Sequence, residues 1–242
     1  MRSPAGPYRA SKIASGISRE GYASLMRAGR ALLVLVLMVA SAGCQPAGPT
    51  AKQKPVTLQS IALQPGDVAG LQPCGASGDV EAVLQDEKST NPYAYDVNST
   101  EWAQWKRQGA SDAYFAAYGR TAADCDALSP AGTGAPSGGL VISLIVKFKS
   151  DSKAEWTYGA ASALLGFGPR DIEFIKLVGG IITTGSDTGL GPRSVIGSGS
   201  VPGTTFYFAF WQNKAFDSYV YAYDLASDLA QGAADDVNRR IR

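Results

Sequence analysis

The chain predicts an α+β fold: a twisted antiparallel sheet with helices packed mainly on one face. Three observations predict it. Leu140–Phe148 reads Leu-Val-Ile-Ser-Leu-Ile-Val-Lys-Phe, a run rich in β-branched and aromatic residues that suits a strand. Thr204–Trp211 and Phe216–Tyr223 are two aromatic runs joined by Gln212, Asn213 and Lys214, a short connection that makes a hairpin and hence antiparallel pairing. Helical patterns follow the first strand and close the chain, giving the order strand, helix, several strands, helix.

Taken in order, Pro55–Cys74 mixes Leu58, Ile61, Leu63, Val68 and Leu71 with the pair Pro65 and Gly66, and reads as short extended pieces joined by turns. Asp86–Ser99 is polar and reads as loop. Thr100–Gly109 reads as a helix, with Thr100 as N-cap and Trp102 and Trp105 three apart on one face. Ser111–Tyr118 continues in helical style. The Gly- and Pro-rich stretch 129–139 then interrupts, as a loop or as a seam inside the domain. After the strand 140–148, Ser150 or Asp151 can cap a helix through Trp156 and Leu164 that Gly166, Gly168 and Pro169 stop. Asp171–Val178 is open between helix and strand, and Ile181–Thr184 and Ser194–Gly197 are short strands around a Gly-rich loop. Beyond the hairpin, a last helix runs to Ile241, with Leu225, Leu229, Val237 and Ile241 as its buried stripe. Its terminal arginines suit the negative end of the helix dipole.

Ahead of this domain the N-terminus has a different character. Ala31–Ala40 is an unbroken apolar run of ten, preceded by Arg27 and Arg30. A bilayer-spanning helix takes about 20 such residues, so this run fits the hydrophobic core of a signal peptide. Ala40, Ser41, Ala42 and Gly43 lead into Cys44, and Leu37–Cys44 resembles the lipobox of bacterial lipoproteins, with Ser41 where a larger aliphatic residue is commoner. The resemblance implies a signal peptide over 1–43 and a lipid (palmitate-type acyl chains) on Cys44. It further implies anchoring to the cell membrane on its extracytoplasmic side. The alternative is plain secretion with a free thiol. Met26 begins a signal peptide of ordinary proportions and is the expected true start, against a long basic leader over 1–25. Residues 44–55, with three prolines, one glycine and two lysines after the cysteine, read as a tether spanning roughly 18 Å r.m.s.. The globular domain is expected over 56–242.

Composition narrows the chemistry. Six of the 22 basic and one of the 21 acidic residues precede Cys44, so the mature chain carries a net charge of −4. Basic residues are scattered apart from Arg239, Arg240 and Arg242, which gives nucleic-acid binding no electrostatic support. Cys74 and Cys125 are an even pair in an oxidising compartment and are expected to form a disulfide; the other reading is a metal or redox pair, which their wide spacing disfavours. Histidine is absent, which excludes Ser-His-Asp and Cys-His catalysis and His-ligated zinc.

Few motifs carry a reaction. Ser150 and Lys153 match the S-x-x-K of penicillin-interacting enzymes, but the companion motifs are missing and a capping serine is the better reading. Gly189, Gly191 and Arg193 read as a turn rather than a phosphate loop. Asp124 with Asp126, and Asp235 with Asp236, lie outside any calcium-loop pattern. No catalytic residue, metal ligand or cofactor is expected. Asn98, Ser99 and Thr100 form a glycosylation sequon of slight meaning in a bacterial product.

The aromatic hairpin draws most attention. Tyr219, Tyr221 and Tyr223 share one face of their strand; on its partner Phe206, Phe208 and Phe210 take one face, Tyr207 and Trp211 the other. Aromatics on both faces point to a sheet covered on both sides, or to one with a wet groove. Core packing is one reading; the other is a binding face anchored by Trp211, Tyr207, Tyr219, Tyr221 and Tyr223.

The run Asp187, Thr188, Gly189, Leu190 and Gly191, the aromatic hairpin, and the final helix with Leu225–Ala230 are together similar to extracytoplasmic sensor-like lipoprotein domains of actinobacteria, including the PknH-type sensor domain. The disulfide pattern of that type is not matched, since one pair is available. The resemblance implies recognition without catalysis. Two functions are therefore expected. One is a binding or sensor module for a small molecule or envelope component. The other is an accessory subunit docking on a membrane complex from outside.

Overall fold

A computed structural model describes residues 56–126, 128, 138–161, 173, 175–201 and 204–241. The expected signal peptide, Cys44, the tether, most of the stretch 129–139 and the helix stop near Pro169 lie outside the described residues.

Among the described residues, eight strands form one antiparallel sheet: β1 (Gln72–Pro73), β2 (Gly78–Asp79), β3 (Ala110–Gly119), β4 (Leu140–Phe148), β5 (Ile181–Thr184), β6 (Ser194–Val201), β7 (Thr204–Asn213) and β8 (Phe216–Tyr223). Their spatial order is β1, β3, β4, β8, β7, β6, β5, with β2 also paired to β3. The helices are α1 (Leu58–Ile61), α2 (Val80–Thr90), α3 (Pro92–Gln108), α4 (Ala122–Asp126), α5 (Asp151–Ala161) and α6 (Ser227–Arg240). The fold is α+β, as the sequence predicts, with Cys74 bonded to Cys125.

The hairpin β7–β8 forms in the expected place, and Lys214 adopts the left-handed backbone (φ 52°) at its turn. β4 inserts beside β8 with Ile142 opposite Tyr221 and Leu144 opposite Tyr219. Strands β3 and β4, which α4 and the stretch 129–139 separate in the chain, pair along their lengths, so that stretch falls between neighbouring strands of one sheet.

Three expectations are corrected. Asp86–Ser99 is helical, belonging to α2 and α3, and Thr100 sits inside α3 with its hydroxyl donating to the Asp96 carbonyl at 2.7 Å. These helices bury few side chains (Leu84, Trp102 and Trp105), so their apolar stripes are thin and Asp86–Ser99 looks like loop, while the helix expected over Thr100–Gly109 forms as the second half of α3. Ser111–Tyr118 is strand β3, not helix: Ala113, Ala116, Ala117 and Tyr118 are all buried, because both faces are covered. Alternation is then lost, and alanine reads as helical although tertiary pairing decides. In and beside the last helix, Leu225, Val237 and Ile241 are buried as expected, whereas Leu229 is 44% exposed and Ala230, Ala233 and Ala234 complete the buried stripe.

Most of the helical residues lie on one face of the sheet, and the last helix with α1 covers the other. On the first face, α1 and α6 pack over Val141, Ile145, Tyr207, Ala209, Trp211, Val220 and Ala222. On the second, α2, α3 and α5 pack over Ala113, Val146 and Phe148. The cause is in the strands: β4, β7 and β8 are apolar on both sides, and either side left open would expose several large side chains to water. Arg240, at the end of α6, forms a forked ion pair with the buried Asp67 carboxylate and also donates to the Ala62 carbonyl at 3.1 Å. That pair ties the last helix to the segment that follows α1.

Candidate functional site

The second face of the sheet is built of three aromatic cross-strand rows. Register places Leu144, Tyr219, Phe210 and Val195 in one row, Ile142, Tyr221, Phe208 and Gly197 in the next, and Leu140, Tyr223, Phe206 and Gly199 in the third. The glycines are required by the rings beside them: a Cβ on Gly197 would lie 2.2 Å from the Phe208 ring, and one on Gly199 2.7 Å from Phe206. Tyr219, Tyr221 and Tyr223 follow one another along β8 with ring centroids 6.1 and 4.5 Å apart. Burial pushes the Tyr219 and Tyr221 hydroxyls well above their ordinary range, so both stay neutral hydrogen-bonding groups. From α5, Tyr158 stacks on Phe210 at 4.8 Å; burial first, then the nearby Asp217 carboxyl, pushes its hydroxyl up to about 12.

Beside the tyrosines, the same face forms the floor of a groove. Ala113 and Phe115 from β3 and Ile142 and Leu144 from β4 line its base. Val80, Val83 and Leu84 from α2 and Trp102 and Trp105 from α3 line its walls, enclosing about 390 Å³. Spacings of three and four residues bring those side chains to one side of each helix. Glu87, Asn98 and Glu101 complete the lining with polar groups, and among the described residues no lining side chain is basic. The Asn98 amide donates to both Glu87 carboxylate oxygens, at 2.8 and 3.0 Å, joining α2 to α3. Partial burial pushes the Glu101 carboxyl above its ordinary value. Trp105 is 8% exposed, and its indole N–H finds no acceptor among the described residues. Hydrocarbon, indole, one amide and two carboxylates can hold an apolar molecule and orient a polar end; none of these side chains is a serine, cysteine or lysine nucleophile.

A wider and more open cleft of about 550 Å³ lies at one end of the sheet, between Gly180, Ser198 and Gly199 on one side and Asp224–Ser227 on the other. Its lining is mostly glycine, serine and other small residues, with Ile181 and Leu225 as the larger apolar groups.

The five aromatic residues singled out from the sequence divide between the two faces. Tyr219, Tyr221 and Tyr223 stand on the second face, half-buried, one strand away from the groove floor. Trp211 and Tyr207 are buried on the first face beneath α6, where they serve as core rather than as a binding surface. The alanine face of α6 explains this: small side chains at 230, 233 and 234 leave room for two large rings, and Tyr207 donates to Gln231 at 3.0 Å. Glu87, Glu101, Trp102 and Trp105 were not among the predicted site residues. Val80, Val83, Leu84 and Glu87 fall at helical spacing and face the two tryptophans. That is a signal the polarity of the surrounding residues hides.

The remaining motifs behave structurally. The Ser150 hydroxyl accepts from the Lys153 backbone N–H at 3.3 Å and caps α5. Gly189 and Gly191 take left-handed backbone in a turn. Buried Asp124 accepts from Thr121 and from the Gly138 N–H at 2.8 Å. Asp236 pairs with Arg239. Among the described residues no cluster of three His, Cys, Asp or Glu could hold a metal, and no helix is long and apolar enough to cross a membrane.

No family model matches the chain, and no curated protein matches it. Among solved structures, the extracellular domain of PknH from Mycobacterium tuberculosis is similar at 11% identity. That match covers 76% of this chain and 94% of that one, with a TM-score of 0.44.

Proposed function

We propose that this chain is a non-catalytic, membrane-anchored extracytoplasmic binding or sensor module, and that the groove between α2, α3 and the sheet is where it takes its ligand. The groove itself carries the reading. At about 390 Å³ it lies in the range of small-molecule sites, and its apolar lining with a few convergent polar groups is what such sites present. Anchoring rests on the sequence leading into Cys44, and an extracytoplasmic address agrees with the Cys74–Cys125 disulfide.

The competing function, an accessory subunit of a membrane complex, would use the exposed side chains Trp156, Leu177 and Ile181. One experiment separates the two. The chain is recovered from native membranes through a C-terminal tag and examined by native and lipid mass spectrometry. A diacylated chain carrying a small molecule that is lost in Val83→Phe supports the binding module. Stoichiometric membrane subunits on a ligand-free chain overturn it in favour of the accessory role, and an unlipidated Cys44 overturns the anchor.

A further inference from the structure

Resting on the groove as a binding site, we infer that its ligand is a cationic amphiphile. An apolar chain or ring would lie against Trp102, Trp105 and Phe115, and an ammonium-type head would be received by Glu87 and Glu101. The charge of the lining decides the sign. Among the described residues, two carboxylates and no basic side chain line the groove, so an anionic head would meet like charge while a cation meets opposite charge in a partly desolvated setting. Nearby lysines already have partners outside the groove lining: Lys106 pairs with Glu81 at 3.1 Å, and Lys88 lies over the Tyr95 ring at 5.7 Å. Glu87 is held in place by the Asn98 amide rather than by a cation, so its charge is oriented but not neutralised. The wall also attracts cations through its rings, as Lys106 lying 5.5 Å from the Trp102 centroid shows.

The test uses the full chain and three soluble probes sharing one apolar body: 4-phenylbutyltrimethylammonium, 4-phenylbutanol and 4-phenylbutanoate. Binding is read from the indole N–H resonances of Trp102 and Trp105 during titration. The expected result is that the cation binds about tenfold more tightly than the alcohol and the anion more weakly than either. Raising the salt should narrow the gap. The double variant Glu87→Gln/Glu101→Gln should lose the preference for the cation and keep the alcohol, because the side-chain amide oxygen introduced at the first position can still accept from Asn98. Equal binding of cation and alcohol, or a preference for the anion, overturns the cationic ligand while leaving the groove as a binding site. Failure of all three probes to shift either indole overturns the groove as well.

Discussion

Asp217 offers the sharpest test of how the two faces of the sheet are sealed. It lies on the second face of β8, opposite Gln212 and Val146, and is 4% exposed. Neither carboxylate oxygen has a hydrogen-bond partner among the described residues. The facing groups are Tyr158 from α5, and Gln212 from β7, whose amide is used by Lys214 and Arg193; Arg193 itself pairs with Glu155. Burial pushes the carboxyl from the usual 3.8 up to about 8. An acid whose folded value is raised keeps its proton when folded and loses it when unfolded across that window. The folded state therefore binds one more proton between about pH 4 and pH 8. Stability is greatest below pH 4, falls by about 1.4 kcal/mol per unit as the pH rises, and levels off above about 8. From pH 5 to pH 7 that is about 2.7 kcal/mol, or about 1 M in urea midpoint for a slope of about 2–3 kcal/mol/M. The chain has no histidine, so few other side chains titrate in this range. Urea unfolding followed by tryptophan fluorescence at pH 5, 6, 7 and 8 measures the slope, and Asp217→Asn should flatten it. Parallel pH profiles for wild type and Asp217→Asn would refute the reasoning, because they would mean that the carboxylate is solvated when folded.

Other perturbations follow from single contacts. Replacing Cys74 and Cys125 by alanine opens a loop with a sequence separation of 51 and should lower stability by about 4 kcal/mol in the chain-entropy picture, visible as a lower urea midpoint. Gly197→Val drives a side chain into the Phe208 ring and should cost about 1–3 kcal/mol, with near-ultraviolet circular dichroism reporting the displaced aromatics. Arg240→Met leaves the Asp67 carboxylate buried without its partner and should cost about 3 kcal/mol, whereas Arg240→Met combined with Asp67→Leu should recover most of it in a double-mutant cycle.

Much of the fold is legible from residues alone, and the exceptions share a cause. Strand β4, the β7–β8 hairpin and α6 carry strong local patterns that agree with their tertiary setting, so they stand out. Helix α2 and the first half of α3 do not, because they rest on the sheet through a few side chains and present polar residues elsewhere, whereas the second half of α3 forms where the sequence places a helix, over Thr100–Gly109. Strand β3 is hidden for the opposite reason: covered on both faces, it shows alanine and tyrosine throughout with no alternation. The same effect governs the site. Alternation along β7 correctly separates Tyr207 and Trp211 from the phenylalanines, yet it cannot say which face is sealed by a helix; that depends on the alanines of α6, far along the chain. Trp102 and Trp105 are recognisable as partners on one helical face. Their role as a groove wall emerges only when α2 and β3 are placed beside them.

The measurement that bears most directly on the groove as a ligand site is a titration of the full chain with N-phenyl-1-naphthylamine, a neutral apolar dye. Its emission would be excited through Trp102 and Trp105. The account predicts saturable one-to-one binding with strong tryptophan-sensitised emission, largely lost in Val83→Phe, which fills the groove from its α2 wall. Unsaturable dye uptake, or binding indifferent to Val83→Phe, would contradict it.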